Sequence, residues 1–264
     1  MTRAKLLAAQ IGVALVGLLV WHVLTNVPLF GEVKNAQFFF STPLAVLGRV
    51  AKEMASPEIW GHIWITLQET VLAFLFGAAG GILLGFLFAR REVLAAIFDP
   101  YIKAANALPR VVLAPIFALW FGLGIWSKVA LGFTLVFFIV FFAVYQGVRE
   151  VSPTVLANAR MLGMNERQLL RHVYWPAALT WTFSSLHTSV GFALVGAVVG
   201  EYLGASAGLG YKIQEAESVF DVTGVFAGMV ILMIFVIAID AVVTAIENRL
   251  LVWRPNASGG TVKS

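Results

Sequence analysis

Cysteine is absent from the chain. Its absence excludes disulfides, thiolate metal sites and thiol nucleophiles. Charge is scarce as well: Asp, Glu, Lys and Arg make up 12% of the 264 residues, about half the roughly 25% of a soluble domain. So few charges suit a lipid solvent better than water. Three patterns that carry chemistry are also missing. There is no Gly-x-x-x-x-Gly-Lys-Ser/Thr loop, so ATP and its magnesium must be bound by another chain. Neither His-Glu-x-x-His nor Gly-x-Ser-x-Gly occurs, which argues against an intramembrane hydrolase. His62 and His172 are isolated. The chain reads as a non-enzyme with no cofactor or metal of its own.

What is abundant is apolar surface: 60% hydrophobic residues and a mean hydropathy of +0.88. A helical span needs roughly 20 apolar residues, and hydropathy resolves six. They fall near Leu6–Val27, Thr66–Ala89, Ile97–Phe121, Lys128–Val148, Ala177–Leu203 and Val222–Ile246. The expected class is an all-α polytopic membrane protein. Its parts are a first span (1–27), an interfacial or periplasmic segment (28–65), a core (66–252) and a polar tail (253–264) whose Ser258-Gly259-Gly260 suits disorder. The first apolar run is longer than a secretory signal, and Thr25-Asn26-Val27-Pro28 is a poor cleavage site. It reads as a retained span. Within the second part, Ser41-Thr42-Pro43 predicts the start of an interfacial helix near 43–55. Pro100, Pro109 and Pro115 predict a kinked or broken third span.

Lys and Arg set the orientation. With the N-terminus inside, the cytoplasmic segments hold Arg3, Lys5, Arg90, Arg91, Arg149, Arg160, Arg167, Arg171, Arg249, Arg254 and Lys263. The outer segments hold Lys34, Arg49, Lys52, Lys128 and Lys212. Both termini are therefore expected in the cytoplasm, and the net charge of +4 is read as topology rather than as a nucleic-acid surface.

Gly77, Gly81 and Gly85 line one face of the second span, and Gly196, Gly200 and Gly204 one face of the fifth. Such faces admit close backbone approach, either within one subunit or as a sliding or dimerising surface. Ionisable residues inside spans are costly and point to function. Arg110 is a candidate to attract an anion, against a role in interfacial or helix packing. Glu201 is a gate or interhelical bond, against solvation in a loop. His187, with Ser184, Ser185, Thr188 and Ser189, gives the fifth span a polar stripe that lines a pore or bonds other helices. Asp240 is expected to bond a neighbouring helix. The tentative pathway is Arg110, Ser184, His187 and Glu201.

The most informative stretch is 152–176. Ser152-Pro153 reads as an N-cap with proline at the first helical position. A helix follows through Ala157, Ala159 and Arg160, and Gly163 ends it. Asn165 caps a second helix, with Gln168 placed for a capping box, and Leu170 and Val173 follow. Pro176 restarts the chain as the fifth span. This helix–turn–helix hairpin is too apolar for a loop and too short for a domain, so it needs a partner to pack against.

The hairpin resembles the cytoplasmic loop of ABC importer permeases: Glu-Ala-Ala, three residues, Gly, nine residues, Ile-x-Leu-Pro. Here those positions fall on Ala157, Asn158, Ala159, Gly163, Val173, Trp175 and Pro176, with no gap from Gly163 to Pro176. The leading Glu is Ala157 and the second Ala is Asn158, which removes a salt bridge from the first position. Asp99-Pro100, Leu108-Pro109, Pro115, Trp120-Phe121-Gly122-Leu123-Gly124, Glu201, Gly208-Leu209-Gly210 and Glu247-Asn248-Arg249 near Trp253 resemble the nitrate, sulfonate and taurine group. The resemblance implies the type I, MetI-like architecture in a bacterial inner membrane. It implies a second, identical permease, two cytoplasmic ATPase subunits gripping the hairpins, and a periplasmic or lipid-anchored solute-binding protein. The solute is then a small organic or inorganic anion such as a sulfonate, taurine or nitrate. The rival is a secondary transporter or channel working without an ATPase. It calls for ion-coupling residues on inverted repeats, and no repeat is visible.

Overall fold

The computed structural model describes residues 3–27 and 33–250; the predicted tail, 253–264, with Trp253, Arg254 and Lys263, lies outside them. Every regular element is a helix: α1 (Arg3–Asn26), α2 (Val33–Phe40), α3 (Pro43–Ala55), α4 (Pro57–Arg90), α5 (Glu92–Ala107), a 3₁₀ turn (Arg110–Leu113), α6 (Ala114–Phe121), α7 (Ile125–Arg149), α8 (Pro153–Met161), α9 (Glu166–Leu169), a π turn (Leu170–Tyr174), α10 (Trp175–Gly204), α11 (Leu209–Ser218) and α12 (Val222–Leu250). Among the described residues, five stretches are long and apolar enough to span a membrane, six if the bent pair α5 and α6 counts as one.

The interfacial helix begins where its cap predicts. Thr42 accepts from the Ala45 N–H at 3.3 Å, and Pro43 opens α3. The second span differs from expectation. Ser56 caps a new helix with Pro57 in its first turn, so α4 takes in residues 57–65 of the expected interfacial segment, Trp60 and Trp64 among them, as well as the span. Its 34 residues measure about 51 Å at 1.5 Å each, against a hydrocarbon core of about 30 Å. The third span is broken, and one proline of three does it. Pro100 sits inside α5 and Pro115 in the first turn of α6, where no N–H is needed. Leu108 and Pro109 are both extended, as the residue before a proline prefers to be, and the chain turns by 87° between α5 and α6.

The core is α4, α7 and α10. Ala73, Val136, Val140, Val144, Ala178 and Ala193 are buried together. In lipid there is no water to expel, so helices associate by packing small residues closely. The glycine faces do this within one chain. A Cβ on Gly77 would lie 2.6 Å from that of Val136, and one on Gly81 2.8 Å from the Phe137 carbonyl oxygen. A Cβ on Gly196 would lie 2.4 Å from the Gly132 Cα. Packing within one subunit, the first of the two readings, is what these faces show. α12 packs chiefly on α3 and α11 rather than on the core.

Pro176 does not restart the chain. The backbone stays helical from Glu166 through Gly204. Trp175 donates to the Leu170 carbonyl, a step of five residues, and the wider π turn carries the chain into a proline that has no N–H of its own. The second arm of the hairpin and the fifth span are one continuous rod.

Candidate functional site

The hairpin is built as its residues predict. Ser152 accepts from Thr154 N–H at 3.3 Å. α8 ends in two crossed bonds, Gly163 N–H to the Arg160 carbonyl (2.9 Å) and Met164 N–H to that of Ala159 (3.1 Å), the Schellman arrangement. It requires a left-handed residue, and Gly163 has φ +82°. Asn165 and Gln168 close a reciprocal capping box, with side chain to backbone N–H distances of 2.9 and 2.8 Å.

Its outward and inward faces separate cleanly. Ala159 and Leu169 are buried, and Leu170 and Val173 half-buried. Ala157, Arg160, Gly163, Gln168 and Pro176 are exposed. So are Met161 and Leu162, at 84% and 81%. Two large apolar side chains so bare at a tip mark a contact surface for another molecule. The hairpin is also pinned to the core. Arg90, at the end of α4, donates to Glu166, which Arg160 approaches at 3.7 Å. The Arg90 guanidinium lies 5.2 Å over the Tyr174 ring. Trp181 donates to Glu150 at 2.9 Å, tying α10 to the end of α7. Sequence reasoning missed Glu166 and Arg90. The legible signal was an acid in the first turn of a helix, where the dipole favours it.

At the opposite end of the bundle the structure gathers a second polar set. Glu201 is 1% exposed. It accepts from the Thr66 hydroxyl of α4 at 2.6 Å and from the Gly210 N–H of α11 at 2.7 Å. It is therefore an interhelical bond, not a solvated loop residue. Thr66 in turn accepts from Leu209 N–H at 2.9 Å, and His62 accepts from Gly208 N–H at 3.0 Å. Two members were missed by reading the sequence. Glu69 lies in mid-helix and is 2% exposed. Lys128, taken as an outer loop charge, is 1% exposed and donates to the carbonyls of Leu123 and Gly124 at 2.5 and 3.1 Å.

The remaining pathway candidates sit apart. Arg110 opens the 3₁₀ turn at the break, donates to the Asn106 side chain at 2.5 Å and lies 5.0 Å over the Phe138 ring. Its Nε is buried with no partner among the described residues. His187 of α10 faces Asp240 of α12 at 3.6 Å, the interhelical pairing expected of Asp240. It borders an apolar crevice of about 240 Å³ with Phe74, Phe183, Leu186, Val190, Val243 and Ile246. The polar stripe on α10 does not exist as one face. Ser185 and Ser189 are buried and bond to their own helix, whereas Ser184 and Thr188 are exposed.

Residues 81–252, spanning the core, the break, the hairpin and the Glu201 turn, match the model of the binding-protein-dependent transport system inner membrane components. The chain belongs to that family. The putative aliphatic sulfonates transport permease protein SsuC of Bacillus subtilis is 33% identical over 220 residues, covering 83% of this chain and 79% of its own. The formylaminopyrimidine transport permease protein ThiX of Halalkalibacterium halodurans is 33% identical over 217 residues, covering 82% and 86%. The taurine transport system permease protein TauC of Escherichia coli is 26% identical over 250 residues, covering 92% and 89%. In fold the permease matches a chain of the inward-facing MetNI methionine ABC transporter, with a TM-score of 0.62 and 18% identity over 74% of this chain and 98% of the other. The architecture is thus MetI-like, and the chain is the transmembrane permease subunit of an ABC importer. Permeases of this family work with an ATPase subunit and a solute-binding protein.

Proposed function

We propose that two copies of this permease stand side by side on two cytoplasmic ATPase subunits and carry a small anion, of the sulfonate, taurine or nitrate kind, delivered by a solute-binding protein on the outer face. The observation that carries the reading is the hairpin. It is fastened on one side to α4 and α10, while Val155, Ala157, Met161 and Leu162 are bare on the other. A rigid element with an uncovered apolar tip supports docking into a groove of another protein. Ala157 lets that protein come close, whereas Ala159, read from the sequence as part of the same surface, is buried against the rest of the chain. Arg167 and Arg171 offer the partner cations. ATP and magnesium are then held by the partner, and closing of the ATPase pair moves the hairpins and swings the spans.

Charge supports placing the hairpin and both termini in the cytoplasm. Arg90, Arg91, Arg149, Arg160, Arg167, Arg171 and Arg249 lie toward that end. With Lys128 buried, the outer end keeps fewer Lys and Arg than the sequence suggested. The natural lack of cysteine makes the test clean. Met161→Cys should crosslink to a cysteine-bearing ATPase subunit. Labelling of that cysteine from outside intact cells, or no crosslink at any hairpin position, would overturn the reading.

For the solute, Arg110 gives the sharpest test. It is a cation at a break between helices, and its unpartnered Nε leaves it donor capacity for an anion. The exposed Ser184 and the His187 edge of the crevice join it as lining candidates, while Glu201 is sealed within the chain and assigned to holding the fold. A hydrogen bond to a charged group contributes about 1.5–3 kcal/mol, so Arg110→Ala should slow uptake of an anionic solute by about tenfold or more, with Arg110→Lys between. Unchanged uptake would remove Arg110 from the pathway.

A further inference from the structure

Glu69, Glu201 and Lys128 are each at most 2% exposed, on α4, α10 and α7. Geometry gathers them. Glu69 stands one helical turn from Thr66, whose hydroxyl bonds Glu201 at 2.6 Å. The Lys128 side chain packs against Gly200, the neighbour of Glu201, so closely that a Cβ there would lie 2.9 Å from its Cγ. The Glu69 carboxyl is in reach of that of Glu201. Donor bookkeeping decides what the three can be. Both oxygens of Glu201 already accept, one from the Thr66 hydroxyl and one from the Gly210 N–H. The Thr70 hydroxyl is spent on the Thr66 carbonyl at 2.7 Å. His62, one turn before Thr66 on α4, is engaged with Gly208 N–H and lies 3.6 Å from Glu58. Glu69 Oε2 is left buried with no donor. An ionised carboxylate abandoned in that way is costly, and two adjacent carboxylates with one lysine leave a net negative charge inside the protein. A proton on Glu69 resolves both problems. The orphan becomes a donor, and its neighbour Glu201 is the acceptor.

We infer that these side chains form a sealed set of one ammonium, one carboxylate and one carboxylic acid, which positions the turns on either side of it for the transport cycle. Lys128 holds the Gly122-Leu123-Gly124 turn through its two carbonyl bonds, and Glu201 holds the Gly208-Leu209-Gly210 turn against α4. The second turn is cut to fit. A Cβ on Gly208 would fall 2.2 Å from the Glu201 carboxyl carbon, and one on Gly210 would fall 2.4 Å from the Val198 carbonyl oxygen. The role of each charge is fixed by its partners: Glu201 must be the carboxylate, Glu69 the acid, and Lys128 the counter-charge.

The assignment makes unequal demands on two otherwise similar residues. Glu69→Gln replaces a donor O–H with a donor N–H, so purified permease should melt within about 3 °C of wild type. Glu201→Gln strands the buried ammonium, and Lys128→Met strands the carboxylate. Each should lower the melting temperature by roughly 10 °C. The double variant Lys128→Met/Glu201→Gln carries no buried charge and should regain at least half of that loss, together with uptake in the intact importer. Infrared spectra should hold a carboxylic-acid C=O band at neutral pH that disappears in Glu69→Gln. The inference is overturned if that band is absent or survives in the variant, if Glu69→Gln is as damaging as Glu201→Gln, or if the double variant is no better than Lys128→Met. Melting and infrared measurements need no ATPase, so they stand or fall separately from the importer reading.

Discussion

Gly196→Leu is expected to leave almost no folded permease in the membrane, while Gly191→Leu on the same helix accumulates normally. The difference lies in what each new side chain meets. Around Gly191 there is nothing within 4 Å, and leucine is the better helix former. At Gly196 the first added carbon alone would sit 2.4 Å from the Gly132 Cα and 2.8 Å from its N. Both are backbone atoms, so no rotamer change relieves the clash. Gly132 cannot retreat either, because its own Cβ position is 2.6 Å from the Ala73 Cβ. Three helices meet at that point. Overpacking a core costs about 1–3 kcal/mol when neighbours can adjust, and here they must separate as whole helices, so the loss exceeds about 3 kcal/mol, a large share of the total stability of a typical domain. Fluorescence size-exclusion chromatography of the two variants decides the matter. Equal recovery would mean that α7 and α10 do not touch as described.

Gly163→Val should have the opposite profile: normal accumulation and uptake near background. A side chain at Gly163 meets nothing within 4 Å, so packing is untouched. What fails is the backbone, since φ +82° is a region that β-branched residues avoid. The strain is about 1–3 kcal/mol, comparable with the Schellman bonds at stake. The turn would rather open than hold it, freeing Met164 and Asn165 and changing the angle between α8 and the capped helix beyond. The membrane core, held by its own packing of α4, α7 and α10, has no reason to respond. Gly163→Asn, which tolerates the left-handed region better, should keep part of the uptake. Normal uptake by Gly163→Val would show that the geometry of the turn is irrelevant to transport.

The caps of the hairpin were legible because they are local. Ser152, Gly163, Asn165 and Gln168 each act on backbone within a few residues, and residue type alone carries that information. The six apolar stretches were legible for a similar reason, since length and hydropathy are sums along the chain. The proline-rich span was legible as broken but not where, because Pro100 and Pro115 differ from Pro109 only in their position along a helix. Lys128 was misread for a physical reason. Counting it as a loop charge assumes that charge goes to water, whereas its ammonium finds two backbone carbonyls inside. Glu69 carried a signal that went unused: an acid inside a predicted span is expensive, and something must compensate it. The partner that does so is 132 positions away in the sequence, on Glu201, and no periodicity connects them.

The unbroken rod from Glu166 to Gly204 is about 60 Å long at 1.5 Å per residue. Its ends carry the tip of the hairpin and the turn held by Glu201. A tilt of about 10° about its middle would carry each end through about 5 Å in opposite directions. Such a lever needs no relay of rearranging side chains to report at one face of the bilayer what has happened at the other. Stiffness alone delivers the message, and softening the rod anywhere along its length should mute it.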